Sequence, residues 1–129
     1  MNLVKISSFA VVGCFGFMVD ASVFYFSYQV VQLDLMIARI IAFLFAATAT
    51  WLGNRWFTFQ SANKAKKLNQ WQRFLFVATI SAVPNFIVFN LVSKILSAEP
   101  VGVYIALVSG VLVGMLSNFI LSDRWVFSR

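Results

Sequence analysis

Four long apolar segments decide what this chain can fold into. They span approximately residues 6–31, 36–59, 74–96 and 101–126. Each exceeds the roughly 20 helical residues, at 1.5 Å apiece, that cross about 30 Å of hydrocarbon. The first follows Lys5 as a signal peptide's apolar region would, but it is too long for one and lacks a small-x-small cleavage site at its end. It is read as a retained helix. Residues 32–34 and 98–100 make short connections, and 60–73 make a longer one, QSANKAKKLNQWQR, that is polar and basic. The expected fold is therefore an all-α integral membrane protein with four transmembrane helices in a single domain, 1–129.

Composition agrees with the lipid setting. Hydrophobic residues are 61 % and charged residues 11 % of the chain, with mean hydropathy +0.88. A soluble domain of this size leaves roughly a third of its surface in water and could not hide that much apolar area. The lone Cys14 excludes an internal disulfide, and neither it nor the absence of histidine leaves the means for a zinc site or the commonest general base. No serine or cysteine has a histidine to activate it, and no GxxxxGK[ST] loop is present, so neither covalent catalysis nor direct use of ATP is expected. No metal and no cofactor is expected. The net charge of +6 points to anionic membrane lipids rather than nucleic acid.

The cations are unevenly placed. Lys5, Arg55, Lys64, Lys66, Lys67, Arg73, Arg124 and Arg129 fall on one side of the four spans, whereas Arg39 and Lys94 fall on the other, beside Asp34 and Glu99. The positive-inside rule puts both termini and the central loop in the cytoplasm.

The chain also repeats itself. An offset of 68 places Ala42 on Gly110, Ala46 on Gly114, Thr50 on Asn118, Asn54 on Ser122 and Phe59 on Phe127. An offset of 65 places Phe9 on Phe74, Gly13 on Ala78, Gly16 on Ser81 and Asp20 on Asn85. Spacings of three, four and seven put each set on one helix face. Two parallel two-helix repeats follow, about 5–60 and about 70–127, joined by the basic loop 60–73. Both end in an Arg-Trp pair closed by phenylalanine: NRWFTF at 54–59 and SDRWVF at 122–127.

These stripes admit two readings. Gly110-x-x-x-Gly114 and Ala42-x-x-x-Ala46 fit close helix packing. Asp20 lies near the middle of the first span, where an ionised carboxylate costs at least about 2.5–3.5 kcal/mol. It either stays protonated, or pairs with a neighbouring helix, or serves function, and the functional reading is favoured. Asn85 and Asn118 either bond between helices or join Asp20 in a polar patch at membrane depth. Pro84 is expected to kink the third helix. Arg55 and Arg124 either anchor helix ends or hold a lipid phosphate through paired donors. Arg39 is the matching cation at the outer end, and Lys64, Lys66 and Lys67 set topology.

The opening FAVVGCFGFMVD, the AFLFAATATWLGNRWFTF of the second span and the closing SNFILSDRWVF together resemble the GtrA-like family of small bacterial membrane proteins. Gly13 and Asp20 match its first helix. Asn54, Arg55 and Phe59 match the end of its second, and Asn118, Phe119, Arg124 and Trp125 match its fourth. Thr50-Trp51 departs from the Asn-Phe that the family often carries there. The resemblance implies a flippase of the bacterial cytoplasmic (inner) membrane. Its cargo would be a polyprenyl-phosphate-linked sugar, used to glycosylate surface polysaccharide such as O-antigen or teichoic acid beside a membrane glycosyltransferase. The expected substrate-binding residues are Asp20, Arg39, Asn54, Arg55, Asn85, Asn118 and Arg124. Four helices are too few to enclose a sugar head, which points to a homodimer or to a groove open to lipid. Two alternatives stand beside this: a small proton-coupled multidrug exporter working through Asp20, and a non-transporting partner subunit of a glycosyltransferase.

Overall fold

The computed structural model describes residues 3–59, 66–97 and 100–127, with the side chain of Val103 excepted. Lys64, Glu99 and Arg129 lie outside the described residues. Helix α1 (Leu3–Tyr25) runs straight into a π-turn, π1 (Phe26–Val30). Helix α2 (Leu35–Gly53) ends in π2 (Asn54–Thr58), α3 (Lys67–Ile95) is uninterrupted, and α4 (Gly102–Leu121) ends in π3 (Ser122–Val126). All four are long and apolar enough to cross a membrane. Each helix satisfies its own backbone groups, which hydrocarbon demands of any spanning segment. Large apolar residues such as Phe17, Phe86 and Ile95 point outward, where lipid rather than water is their solvent.

Helix α1 packs on α2, and α3 on α4, as two antiparallel hairpins. The first turn is tight. Gln32 takes a positive φ of 64°, the Leu33 amide donates to Ser27 O at 2.9 Å, and the Asp34 carboxylate caps α2 by accepting from the Met36 amide at 3.2 Å. Helix α3 starts at Lys67, seven residues before the apolar run at 74, so the second half of the basic connection is helical. Polarity there marks where the helix leaves hydrocarbon, not where it ends; Gln70 is buried and Trp71 half-buried. The helix also passes through Pro84 unbroken. Proline removes only one donor, and lipid offers the flanking turns no alternative partners.

The hairpins meet mainly at the end that carries the termini and the central connection. The buried core there consists of Phe9, Trp51, Phe59, Phe74, Val77, Phe119, Val126 and Phe127. Towards the other end the buried residues are small, among them Ser27, Ala38, Ala42, Ala106 and Gly110. The core is paired residue by residue. Phe9 and Phe74 stand 65 apart, whereas Trp51 and Phe119, and Phe59 and Phe127, stand 68 apart. Phe59 stacks on Phe127, with ring centroids 4.6 Å apart and planes 9° from parallel. Phe9 meets Phe59 edge-on at 6.4 Å, and Phe74 meets Phe127 edge-on at 6.0 Å. Exchanging the halves therefore maps these contacts onto each other, as an approximate two-fold along the bundle does.

Candidate functional site

A belt of polar side chains lies against this aromatic core. The shared acceptor is Gln70 on α3. Its Oε1 takes the Trp51 indole N–H at 3.0 Å and Arg55 Nη1 at 2.6 Å, filling both lone pairs of one carbonyl oxygen. The Trp71 indole donates back to Thr48 Oγ1 at 2.9 Å, and that hydroxyl donates to Leu44 O at 2.7 Å. Thr58 Oγ1 donates to Asn54 Oδ1 at 2.8 Å, which leaves Ser8 to donate to Thr58 at 2.9 Å. Asn54, Arg55, Thr58 and Gln70 are all buried. The seam between α2 and α3 is thus closed by interior hydrogen bonds.

The seam between α1 and α4 is closed differently. Phe9 meets Phe119 edge-on at 5.3 Å, and Lys5 pairs with Asp123 at 3.5 Å, their side chains 40 % and 38 % exposed. The two polar links are counterparts: Lys5 is Gln70 less 65, and Asp123 is Arg55 plus 68. The acidic partner sits on π3 in one seam, and the basic partner sits on π2 in the other.

That arithmetic also separates the two Arg-Trp pairs. With Phe59 on Phe127, Arg55 falls on Asp123 rather than on Arg124. The arginines are one residue out of register, and adjacent helical residues face different ways. Arg55 is accordingly buried and Arg124 exposed. The π-turns themselves agree: the Phe59 amide reaches Asn54 O and the Phe127 amide reaches Ser122 O, both at 2.8 Å. Such wide turns recur at functional places in helices.

The remaining expected site residues lie apart from the belt. A β-carbon at Gly110 would stand 2.5 Å from Asn85 Oδ1 and 2.6 Å from its backbone oxygen, and one at Gly114 would stand 2.9 Å from Asn85 Cβ. The glycine pair is therefore the seat on which Asn85 packs α3 against α4. Gly16 meets Thr50 and Ala46 in the same manner across the first hairpin. Asp20, one turn further along α1 and at the position equivalent to Asn85, is half-buried and has no hydrogen bond or ion pair among the described residues. Asn118 accepts from Ser122 Oγ at 2.9 Å within its own helix end. Arg39 is exposed at the other end, with its guanidinium 5.7 Å from the Phe24 ring. No hydrogen bond or ion pair joins any two of Asp20, Arg39, Asn85, Asn118 and Arg124 among the described residues.

Sequence reasoning missed Gln70, Ser8, Thr58, Trp71 and the Lys5–Asp123 pair. Gln70 was hidden because it falls in a stretch polar enough to read as loop. The signal that reveals it is positional: extended to the helix ends, the two offsets set Lys5 against Gln70 and Arg55 against Asp123, two matched partnerships.

Comparison with curated proteins and with solved structures gives no match. Residues 8–127 do match the family model described as GtrA/DPMS, transmembrane domain, and the chain belongs to that family.

Proposed function

We propose that the protein moves a polyprenyl-phosphate-linked sugar from the cytoplasmic to the outer leaflet, for glycosylation of a cell-surface polysaccharide. The observation that carries this reading is the family match over 8–127, which supports a role in the membrane handling of lipid-linked sugars. The fold is compatible with it. The eight-to-two bias of Lys and Arg favours a cytoplasmic location for the joined end. There the exposed Arg124 meets the lipid phosphate as it approaches the α1–α4 seam. Buried Arg55 holds the opposite seam through Gln70, and Asn54 ties the end of the second span to α1 through Thr58 and Ser8. Asp20, Asn85 and Asn118 offer hydrogen bonds to sugar hydroxyls at membrane depth, and Arg39 receives the phosphate at the far rim. The polyprenyl tail stays in lipid, so only the head needs shelter, along a groove or between two copies. One negative charge leaving a negative interior gains about 2.3 kcal/mol per 100 mV, and consumption of the sugar by a membrane glycosyltransferase outside would add to this.

The test reconstitutes the protein in liposomes containing a polyprenyl-phosphate sugar and measures how much becomes accessible to an external sugar-modifying enzyme. Accessibility rising beyond the outer-leaflet share is expected. A value equal to that of protein-free liposomes removes the proposal.

A further inference from the structure

The first three turns of α3 carry Asn69, Gln72, Arg73 and Phe76, whose spacings of three, four and seven set them on one face. With Trp125 of π3 they line an open depression of about 410 Å³. The Arg73 guanidinium lies 5.6 Å from the Trp125 ring, and Phe76 meets the same indole edge-on at 5.9 Å. Arg73 is exposed and makes no ion pair or hydrogen bond among the described residues, so its N–H donors remain open while the indole steadies the group. The carboxylate nearest in sequence to Trp125, Asp123, is engaged by Lys5 on the α1 side.

The equivalent face of the first hairpin provides a comparison inside the same molecule. Subtracting 65 gives Val4, Ser7, Ser8 and Val11, and subtracting 68 from Trp125 gives Phe57. Val4, Val11 and Phe57 are 75 %, 68 % and 66 % exposed, an ordinary lipid-facing surface. Only the second hairpin replaces it with a guanidinium and two amides beside an interfacial tryptophan. Guanidinium offers paired donors to a phosphate, the aromatic belt lies at headgroup level, and Phe76 continues the depression towards hydrocarbon. We infer that this depression binds the phosphodiester of an anionic membrane lipid, with Arg73 as the phosphate contact, the Asn69 and Gln72 amides as donors beside it, and Phe76 under the first methylenes of a chain. The inference stands apart from translocation.

Native mass spectrometry of the detergent-purified protein tests it, with phosphatidylglycerol as the probe and a phosphate-free diacyl glycolipid as the control. Wild type should retain phosphatidylglycerol in preference to the control. Arg73→Gln should weaken retention roughly tenfold, the range for a charged hydrogen bond. Arg73→Lys, which keeps the charge but not the paired donors, should fall between the two. Lys67→Gln, on the first turn of α3 but outside the depression, should change little. Equal retention by Arg73→Gln and wild type overturns the inference. So does an equal loss in Lys67→Gln, which would mean diffuse charge attraction. Displacement by inorganic phosphate alone would overturn it too, by showing that the site reads a free anion and not a lipid.

Discussion

The Gln70 carbonyl oxygen takes an indole and a guanidinium together, so Gln70→Ala would remove the acceptor that two donors share inside the α2–α3 seam. Unfolding in mixed micelles with increasing SDS should show a loss of about 1–3 kcal/mol. Asp123→Asn breaks the counterpart pair at a half-exposed place, and the same measurement should show less than about 1 kcal/mol. Asp20 yields a functional prediction. The second hairpin already carries asparagine at the equivalent position, so a hydrogen-bonding role for Asp20 tolerates the same residue. Asp20→Asn should keep transport within roughly tenfold of wild type, the worth of about one hydrogen bond. Abolished transport in that variant would instead assign Asp20 a proton-carrying part. That the first span carries an acid well inside it was legible in the sequence, and Asp20 lies within α1; few residue types are so expensive there. Gln70 was not legible: a neutral amide in a polar stretch carries no signal until its donors are known.

Within the hairpins, close helix approach depends on missing side chains, and what an added one meets differs by neighbour. At Gly110 a methyl group would meet the Asn85 backbone oxygen, which cannot rotate away. At Gly16 it would meet the Thr50 γ-methyl, which moves only if Thr50 turns about χ1 and gives up its hydroxyl bond to Ala47 O. Gly110→Ala and Gly16→Ala should therefore each destabilise by about 1–3 kcal/mol, measured as above. The four helices were legible from length and hydropathy alone, since lipid leaves a chain of that pattern no other regular structure. Their ends were less so. Helix α3 starts in a basic stretch that periodicity does not distinguish from loop, and the π-turns have no known sequence cue here. The one-residue slip between Arg55 and Arg124 is present in the sequence itself, where the phenylalanine register and the shared Arg-Trp spelling differ by one position.

The two seams of the bundle differ in kind. Buried hydrogen bonds fasten α2 to α3, whereas a half-exposed ion pair and one aromatic edge fasten α1 to α4. If the headgroup enters between α1 and α4, bridging that seam should stop it. In a Cys14→Ser background, oxidising Lys5→Cys with Asp123→Cys should abolish transport in the liposome assay, and reduction should restore it. Full transport by the cross-linked protein would place the passage elsewhere. The approximate two-fold was partly legible as the offsets 65 and 68, but which residues it brings face to face was not, because a repeat in sequence does not say how its copies dock.

Phe59 on Phe127 carries a last consequence. In a symmetric pair of identical hairpins, a ring on the axis would face its own twin, and any substitution elsewhere would strike both seams at once. Lys5 could then meet an acid in both or in neither. Joining the hairpins in one polypeptide releases that constraint, so one side can be sealed while its counterpart stays able to part, an inequality that no self-paired ancestor could encode.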